Sequence, residues 1–234
     1  MERYHTVLWD VDQTLLDFKA SERYAVRHCF ESFHLTATED ILTLYSSINQ
    51  SYWKRIEKGE LNKKEALVGR FCTLFEQTGI TGIEPSAFQE RYADALGSVY
   101  YFQDHSYELV KSLKGKYRQY LVTNGISRTQ RNKLKLSGLD LLVDGIFISE
   151  ELGAPKPQKA YFDACFSRIP GFEKEKTILV GDSLSSDILG ANQAGITSCW
   201  YNPDSLKNDS QAVADFEIKN LSEILPVLSG EEKA

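Results

Sequence analysis

An alternation of short apolar segments with helical segments most strongly constrains the fold of this chain. Residues 117–123, 145–148, 177–180 and 197–201 have the length and apolar character of buried strands, and helical patterns separate them. A parallel pair of strands needs a crossover connection long enough to hold a helix, so this alternation is typical of a parallel sheet covered by helices on both faces. We therefore expect an α/β protein with a doubly wound parallel sheet.

A long helical stretch interrupts this pattern near the start of the chain. A first apolar strand covers residues 4–9, but from residue 17 to about residue 101 apolar residues recur at helical spacing without a convincing strand. We therefore predict an α/β core made of residues 1–16 and 103–234, with an inserted helical segment of residues 17–102. Ligands of parallel sheets bind at the carboxyl ends of strands, so an insert that follows the first strand is expected to act as a lid.

Composition and charge exclude several classes of protein. The 234 residues are 42% hydrophobic and 26% charged, which is globular and excludes a mainly disordered chain. The net charge of −6 disfavours nucleic-acid polymers and anionic membranes as partners. No apolar run reaches the roughly 18–20 residues that span a bilayer, and Asp10 and Asp12 interrupt the apolar start, unlike a signal peptide. Four scattered cysteines suit a reducing compartment, so we expect a cytoplasmic protein with free thiols. No sequence feature indicates the oligomeric state, and a monomer is the default expectation.

Polar residues that could take part in catalysis or in metal binding follow four of the predicted strands. The carboxyl ends of parallel strands meet at one edge of a sheet, so these residues are expected to converge. Two carboxylates and a threonine follow the first strand, and a Thr-Asn-Gly turn follows the second. A lysine follows the third strand, and two further carboxylates follow the fourth. The residues are Asp10, Asp12, Thr14, Thr123, Asn124, Gly125, Lys156, Asp182 and Asp187.

The charges in this group predict a metal site. Carboxylates a few ångströms apart cannot all be ionised unless positive charge compensates them. Lys156 supplies one positive charge, and a divalent cation would supply two more. Mg²⁺ suits such a site because it binds one or two carboxylates, keeps several waters and completes its shell with phosphate oxygens. The sequence therefore favours Mg²⁺ and a small phosphorylated substrate.

Taken in chain order, these residues resemble the four sequence motifs of the haloacid dehalogenase (HAD) superfamily. The match extends over nearly the whole chain, and the helical insert resembles the C1-type cap of that superfamily. Residues 9–15, 148–153 and 186–190 are most similar to 5′-nucleotidases of the YjjG/YfnB type. Many phosphatases of the superfamily have glycine at the position of Gln13, which leaves the role of that side chain open.

The resemblance implies a Mg²⁺-dependent phosphomonoester hydrolase that forms an aspartyl-phosphate, with a nucleoside 5′-monophosphate as substrate. It implies that Asp10 is the nucleophile, that Asp12 protonates the leaving group and later accepts a proton from water, and that Lys156 offsets negative charge. The implied phosphate-binding residues are Thr14, Thr123, Asn124 and Gly125. The implied metal ligands are Asp10, Asp182, Asp187 and the backbone carbonyl of Asp12.

Other functions use the same or a related fold. A sugar-phosphate phosphatase or phosphomutase keeps the same residues and differs in substrate or product. A 2-haloacid dehalogenase needs neither a second acid nor a metal, so Asp12 argues against it. A phospho-receiver module also combines Asp, Mg²⁺, Thr and Lys, but it is shorter and has no insert of this size.

A basic run lies on the helix predicted for residues 127–137. Arg128, Arg131, Lys133 and Lys135 lie there between Leu134, Leu136 and other residues. We expect these four side chains to form a solvated face, because charge runs on helices usually face water.

Overall fold

Six strands form one sheet in the computed structural model, which describes residues 3–231. All neighbouring strands are parallel, and β1 lies in the interior of the sheet between β2 and β4, in the order β3-β2-β1-β4-β5-β6. This confirms the doubly wound parallel sheet expected from the sequence. The strands are β1 (Thr6–Asp10), β2 (Arg118–Thr123), β3 (Gly145–Ile148), β4 (Thr177–Gly181), β5 (Thr197–Tyr201) and β6 (Phe216–Ile218).

The sixth strand is the one element of the sheet that sequence patterning missed. β6 has three residues, and the exposed Glu217 separates two buried apolar side chains. A segment this short carries too little periodicity to distinguish a strand from a loop. Its position in the sheet comes from pairing with β5, where Cys199 lies opposite Phe216.

The described chain divides into two compact units. One comprises residues 3–17 and 102–231, and the other residues 18–101. The outermost residues of the predicted core, 1–2 and 232–234, lie outside the described part of the chain. Helices are numbered in chain order, and the four helices of the second unit come first. The helices of the sheet unit are α5 (Ser106–Leu113), α6 (Ser127–Ser137), α7 (Ser149–Leu152), α8 (Lys159–Phe166), α9 (Leu189–Ala194) and α10 (Ile224–Ser229).

The predicted boundaries of these helices agree unevenly with the structure. The α6 helix has the predicted limits, and it ends at Gly138 with the left-handed φ of +74° that glycine tolerates. The sequence pattern also predicts a helix over residues 157–169, but α8 comprises only Lys159–Phe166. A third pattern predicts a helix from residue 186, whereas α9 starts at Leu189, because residues 184–188 form a wider π-type turn capped by the Ser183 side chain.

The second unit is entirely helical among its described residues and has its own apolar core. Its helices are α1 (Phe18–Ser32), α2 (Glu39–Glu57), α3 (Lys63–Thr78) and α4 (Pro85–Leu96). The Asn62 side chain accepts a hydrogen bond from the Lys64 amide at the start of α3, Gly79 ends α3 and Pro85 begins α4. In the described part of the chain, no helix has both the length and the apolar character needed to span a membrane.

Phe88 lies at the centre of the helical unit's core. Its side chain is fully buried, and its ring lies 5.1–5.3 Å from the rings of four other phenylalanines. These partners come from α1, from the residue that follows α1 and from α3, so Phe88 joins elements that are distant in sequence. They are Phe30, Phe33, Phe71 and Phe75.

Replacing Phe88 by alanine should therefore destabilise the helical unit. We expect Phe88→Ala to lower the free energy of unfolding by about 3–5 kcal/mol, because it removes a large buried ring and leaves a cavity. Urea unfolding followed by circular dichroism measures the change. Glu90→Ala on the same helix is the control, since Glu90 is exposed and should change stability by less than about 0.5 kcal/mol. Equal effects of the two variants would contradict this account of the core.

Candidate active site

Lys156 is the centre of a buried ionic network at the carboxyl edge of the sheet. Its Nζ lies 2.6 Å from Asp10 Oδ1 and 2.7 Å from Asp187 Oδ1, and it also donates to the Val122 carbonyl at 3.0 Å. Only 1% of Lys156 is exposed. A buried ammonium is tolerated only when its donors are paired, and three acceptors satisfy this requirement here.

Asp182 completes a cluster of three carboxylates with Asp10 and Asp187. One oxygen from each can be chosen so that all three lie within 4.8 Å of one another. Asp10 comes from the end of β1, while Asp182 and Asp187 follow β4, the strand paired beside it. Three converging carboxylate oxygens are the hard donors that a divalent cation such as Mg²⁺ prefers.

The carboxyl groups are electrostatically unfavourable without further positive charge. Burial raises the pKa of Asp10 to about 7, and the carboxylate of Asp187 adds to the rise while Lys156 opposes it. Burial and the charge of Asp10 likewise raise the pKa of Asp182 well above its ordinary value. Burial works against the charge of Lys156, but Asp10 and Asp187 outweigh it and raise the pKa of the ammonium. One lysine therefore compensates only part of the negative charge in the cluster.

Thr14 connects two of these carboxylate positions. Its hydroxyl donates to Asp10 Oδ2 at 3.0 Å and accepts from the Asp182 backbone amide at 3.1 Å. The side chain is fully buried, and the loop before it turns at Gln13, whose φ of +66° is in the left-handed region. This turn explains why glycine would suit that position. Contact of Thr14 with phosphate stays a prediction.

The Thr-Asn-Gly turn after β2 supports the lysine segment. Asn124 donates from Nδ2 to the Lys156 carbonyl at 2.9 Å, and its Oδ1 accepts from the Lys156 amide at 2.8 Å. The Thr123 hydroxyl accepts from the Gly125 amide at 3.0 Å. Asn124 thus fixes the backbone that carries Lys156. Phosphate contacts of Thr123, Asn124 and Gly125 stay predictions, as does a metal contact of the Asp12 carbonyl.

Asp12 is held by two residues that sequence reasoning did not assign to the site. Lys133 Nζ lies 2.5 Å from Asp12 Oδ1, and Gln130 Nε2 lies 2.5 Å from Asp12 Oδ2. The expectation that Lys133 belongs to a solvated face is wrong, because only 1% of this residue is exposed. Lys133 lies on the buried face of α6, beside Leu134 and three positions after Gln130. That spacing is the signal that could have identified it.

Two glycines leave room for these side chains. A Cβ on Gly125 would lie 2.3 Å from Gln130 Nε2, and a Cβ on Gly181 would lie 2.4 Å from Asp187 Cγ. Both distances are far below van der Waals contact, so any larger residue would displace Gln130 or Asp187. The glycines of the second and fourth motifs are therefore required by the packing of neighbouring site residues.

The arrangement agrees with what comparison with known proteins shows. The family model of haloacid dehalogenase-like hydrolases matches residues 7–201. The chain therefore belongs to the haloacid dehalogenase-like hydrolase family, and it is an enzyme of that family, as the resemblance of its motifs implied.

Individual relatives agree with the YjjG/YfnB resemblance. The chain is 38% identical to YfnB of Bacillus subtilis (strain 168), over 98% of this chain and 97% of YfnB. A crystal structure of YfnB bound to magnesium matches with a TM-score of 0.92, covering 97% of this chain and 99% of that chain. Pyrimidine 5′-nucleotidase PynA of Streptococcus pneumoniae (strain ATCC BAA-255 / R6) is 34% identical, over 96% of this chain and 95% of PynA. Pyrimidine 5′-nucleotidase YjjG of Escherichia coli (strain K12) is 25% identical, over 97% and 98%.

The raised pKa of Asp182 leads to a prediction about stability in metal-free buffer. A carboxyl whose pKa is higher in the folded protein than in the unfolded chain loses its stabilising contribution as the pH rises through the folded value. The Asp182→Asn variant has no such loss. We therefore expect this variant to be more stable than the natural protein at about pH 8, by on the order of 1 kcal/mol, with a smaller difference at about pH 5.

Thermal unfolding at the two pH values, with a chelator present, measures this difference. Glu175→Gln is a matched control, because Glu175 is an exposed carboxylate of the same unit. A gain for Asp182→Asn that is larger at the lower pH would contradict the proposed electrostatic cost of the cluster.

Proposed function

We propose that this enzyme is a Mg²⁺-dependent phosphatase that hydrolyses nucleoside 5′-monophosphates through an aspartyl-phosphate on Asp10. The observation that carries the proposal is the buried Asp10 carboxylate, hydrogen-bonded to Lys156 and grouped with Asp182 and Asp187 at the sheet edge. The names of PynA and YjjG support a pyrimidine nucleotide as the substrate class. A small metabolite as partner and a monomeric enzyme complete the proposal.

The carboxylate cluster fits the cation that this proposal requires. Asp10, Asp182 and Asp187 would hold Mg²⁺ through carboxylate oxygens, and the description of the YfnB crystal structure as bound to magnesium supports this choice of ion. When bound, the ion supplies the positive charge that Lys156 alone does not, and it lowers the pKa values of the carboxyl groups around it.

Asp10 and Asp12 divide the chemistry between them. An Asp10 carboxylate oxygen attacks phosphorus, and the ester P–O bond breaks as Asp12 gives its proton to the departing alcohol oxygen. Water then attacks the phosphorus of the aspartyl-phosphate, Asp12 takes a proton from that water, and the bond to Asp10 breaks to release phosphate. Lys156, at 2.6 Å from Asp10, stabilises the negative charge on the nucleophile and on the phosphoryl group.

The cysteines support a reducing environment for the enzyme. Cys29, Cys165 and Cys199 are buried free thiols, as expected from the sequence, whereas Cys72 is partly exposed. Burial raises the pKa of Cys29 and of Cys165 to about 12, so both thiols stay protonated and unreactive at neutral pH. We accordingly propose a cytoplasmic location.

A phosphate-release screen tests the substrate and the metal together. Nucleoside 5′-monophosphates, sugar phosphates and small phosphate esters are compared with Mg²⁺ present and with excess EDTA. We expect the highest kcat/KM for pyrimidine nucleoside 5′-monophosphates and a loss of activity in EDTA that added Mg²⁺ restores. Full activity in EDTA would contradict the metal assignment. A preference for sugar phosphates would contradict the nucleotidase assignment but leave the phosphatase chemistry standing.

Removal of the nucleophile gives a second prediction. Asp10→Asn should lower kcat by about 10³-fold or more, since no carboxylate oxygen remains to attack phosphorus. Natural enzyme quenched in acid during turnover should carry one phosphoryl group on the peptide that contains Asp10, measured by mass spectrometry. Asp209→Asn, at an exposed surface position, should retain natural activity. A phosphoryl group on a peptide without Asp10 would refute this nucleophile.

A further inference from the structure

We propose that Gln130 and Lys133 form a clamp that orients the Asp12 carboxylate toward the leaving group. Both are positioning residues that act through Asp12, so the inference rests on the proposed function of Asp12 as acid and base. The sheet edge orients Asp10 through Lys156, whereas the α6 helix orients Asp12 through these two side chains.

Each oxygen of Asp12 has its own donor from α6. Lys133 Nζ donates to Oδ1 at 2.5 Å, and Gln130 Nε2 donates to Oδ2 at 2.5 Å. The amide orientation of Gln130 follows from chemistry, because only its nitrogen can donate to a carboxylate. Two donors on two oxygens fix the rotation of the carboxylate plane, which a single hydrogen bond would leave free.

Burial differs sharply across this ion pair. The side chain of Lys133 is 1% exposed, but that of Asp12 is 27% exposed. The donors are therefore enclosed by protein, while part of the carboxylate still faces open space. A carboxylate offers about four lone-pair positions, so while α6 holds it Asp12 keeps positions that can carry a proton for the leaving oxygen or accept a hydrogen bond from water. A lysine is almost never fully buried unless it is paired, which is consistent with a role toward Asp12.

Gln130 also connects the clamp with the turn after β2. Its Nε2 lies 2.8 Å from the Thr123 hydroxyl as well as 2.5 Å from Asp12. Gly125 packs so closely against Gln130 that a Cβ would overlap it at 2.3 Å. The clamp thus fixes the distance between Asp12 and the turn proposed to hold the phosphoryl group. Correct distance matters because proton transfer needs hydrogen-bond reach to the leaving oxygen.

A positioning role predicts a dependence on the leaving group. An alcohol such as a nucleoside 5′-hydroxyl departs slowly as an alkoxide, so its ester needs a well-placed acid. A p-nitrophenolate anion is stable and departs with little help from a proton. The value of kcat/KM reports the steps up to leaving-group departure, and it should therefore depend on the clamp far more for a nucleotide than for p-nitrophenyl phosphate.

The experiment compares Lys133→Met and Gln130→Met with the natural enzyme, in Mg²⁺ buffer, on uridine 5′-monophosphate and on p-nitrophenyl phosphate. Both substitutions keep side-chain length and remove the donor. We expect kcat/KM for the nucleotide to fall by about 10-fold to 100-fold, and that for the aryl ester by less than about 3-fold. Lys135→Met is the matched control, because Lys135 is an exposed lysine on the same helix and should change neither value.

A second measurement separates positioning from folding. Circular dichroism and thermal unfolding establish that each variant is folded, and if Lys133→Met does not fold, Gln130→Met carries the test. Equal losses on the two substrates, or no loss on either, would overturn the clamp. Failure of the proposed function is distinguishable from this, because the natural enzyme itself would then release no phosphate from uridine 5′-monophosphate.

Discussion

The pairing of Lys156 with Asp10 and Asp187 is the interaction on which the rest of the site depends. All three groups are buried, and the ammonium uses its donors on two carboxylates and one backbone carbonyl. Removing Lys156 would leave buried carboxylates without a compensating charge, which costs several kcal/mol. The surrounding structure is arranged around this pairing: Asn124 fixes the lysine backbone, and Thr14 fixes the second oxygen of Asp10.

The positive charge of Lys156 does not balance the negative charge of this network, which limits its contribution to stability. Three carboxylates meet one lysine, and burial raises the pKa values of Asp10 and Asp182. A protein selected only for stability would replace one of these carboxylates, because the desolvation cost of burying three carboxylates exceeds their attraction to the single ammonium of Lys156. Such a cost is expected where binding of a cation and an anionic substrate is the purpose of the site. The positive charge missing from the folded chain is what the proposed ligand supplies.

Two buried lysines, Lys156 and Lys133, show how much of the site the sequence pattern can predict. Lys156 could be assigned because it follows a strand end and stands in a recognisable motif. Lys133 could not, because its charged neighbours Arg131 and Lys135 are those of an ordinary solvated helix. Any lysine on a helix is expected to face solvent, whatever its position. Only a partly buried acceptor, such as the Asp12 carboxylate, makes burial of the lysine favourable. Asp12 lies 121 residues earlier in the chain, so no local pattern connects the pair.

Sequence alone determined the order of the first five strands, the α/β class and the residues at the strand ends, because these depend on local periodicity and on the polarity of parallel strands. The limits of α6, with its end at Gly138, could likewise be predicted from neighbouring residues in the chain. Which side chains touch was decided by long-range packing. The short β6 strand exists because it pairs with β5, and Lys133 can be buried because its ammonium donates a hydrogen bond to Asp12. Contacts between distant segments form only when the chain has folded. Their free energy depends on residues far apart in the sequence, so no local pattern predicts them.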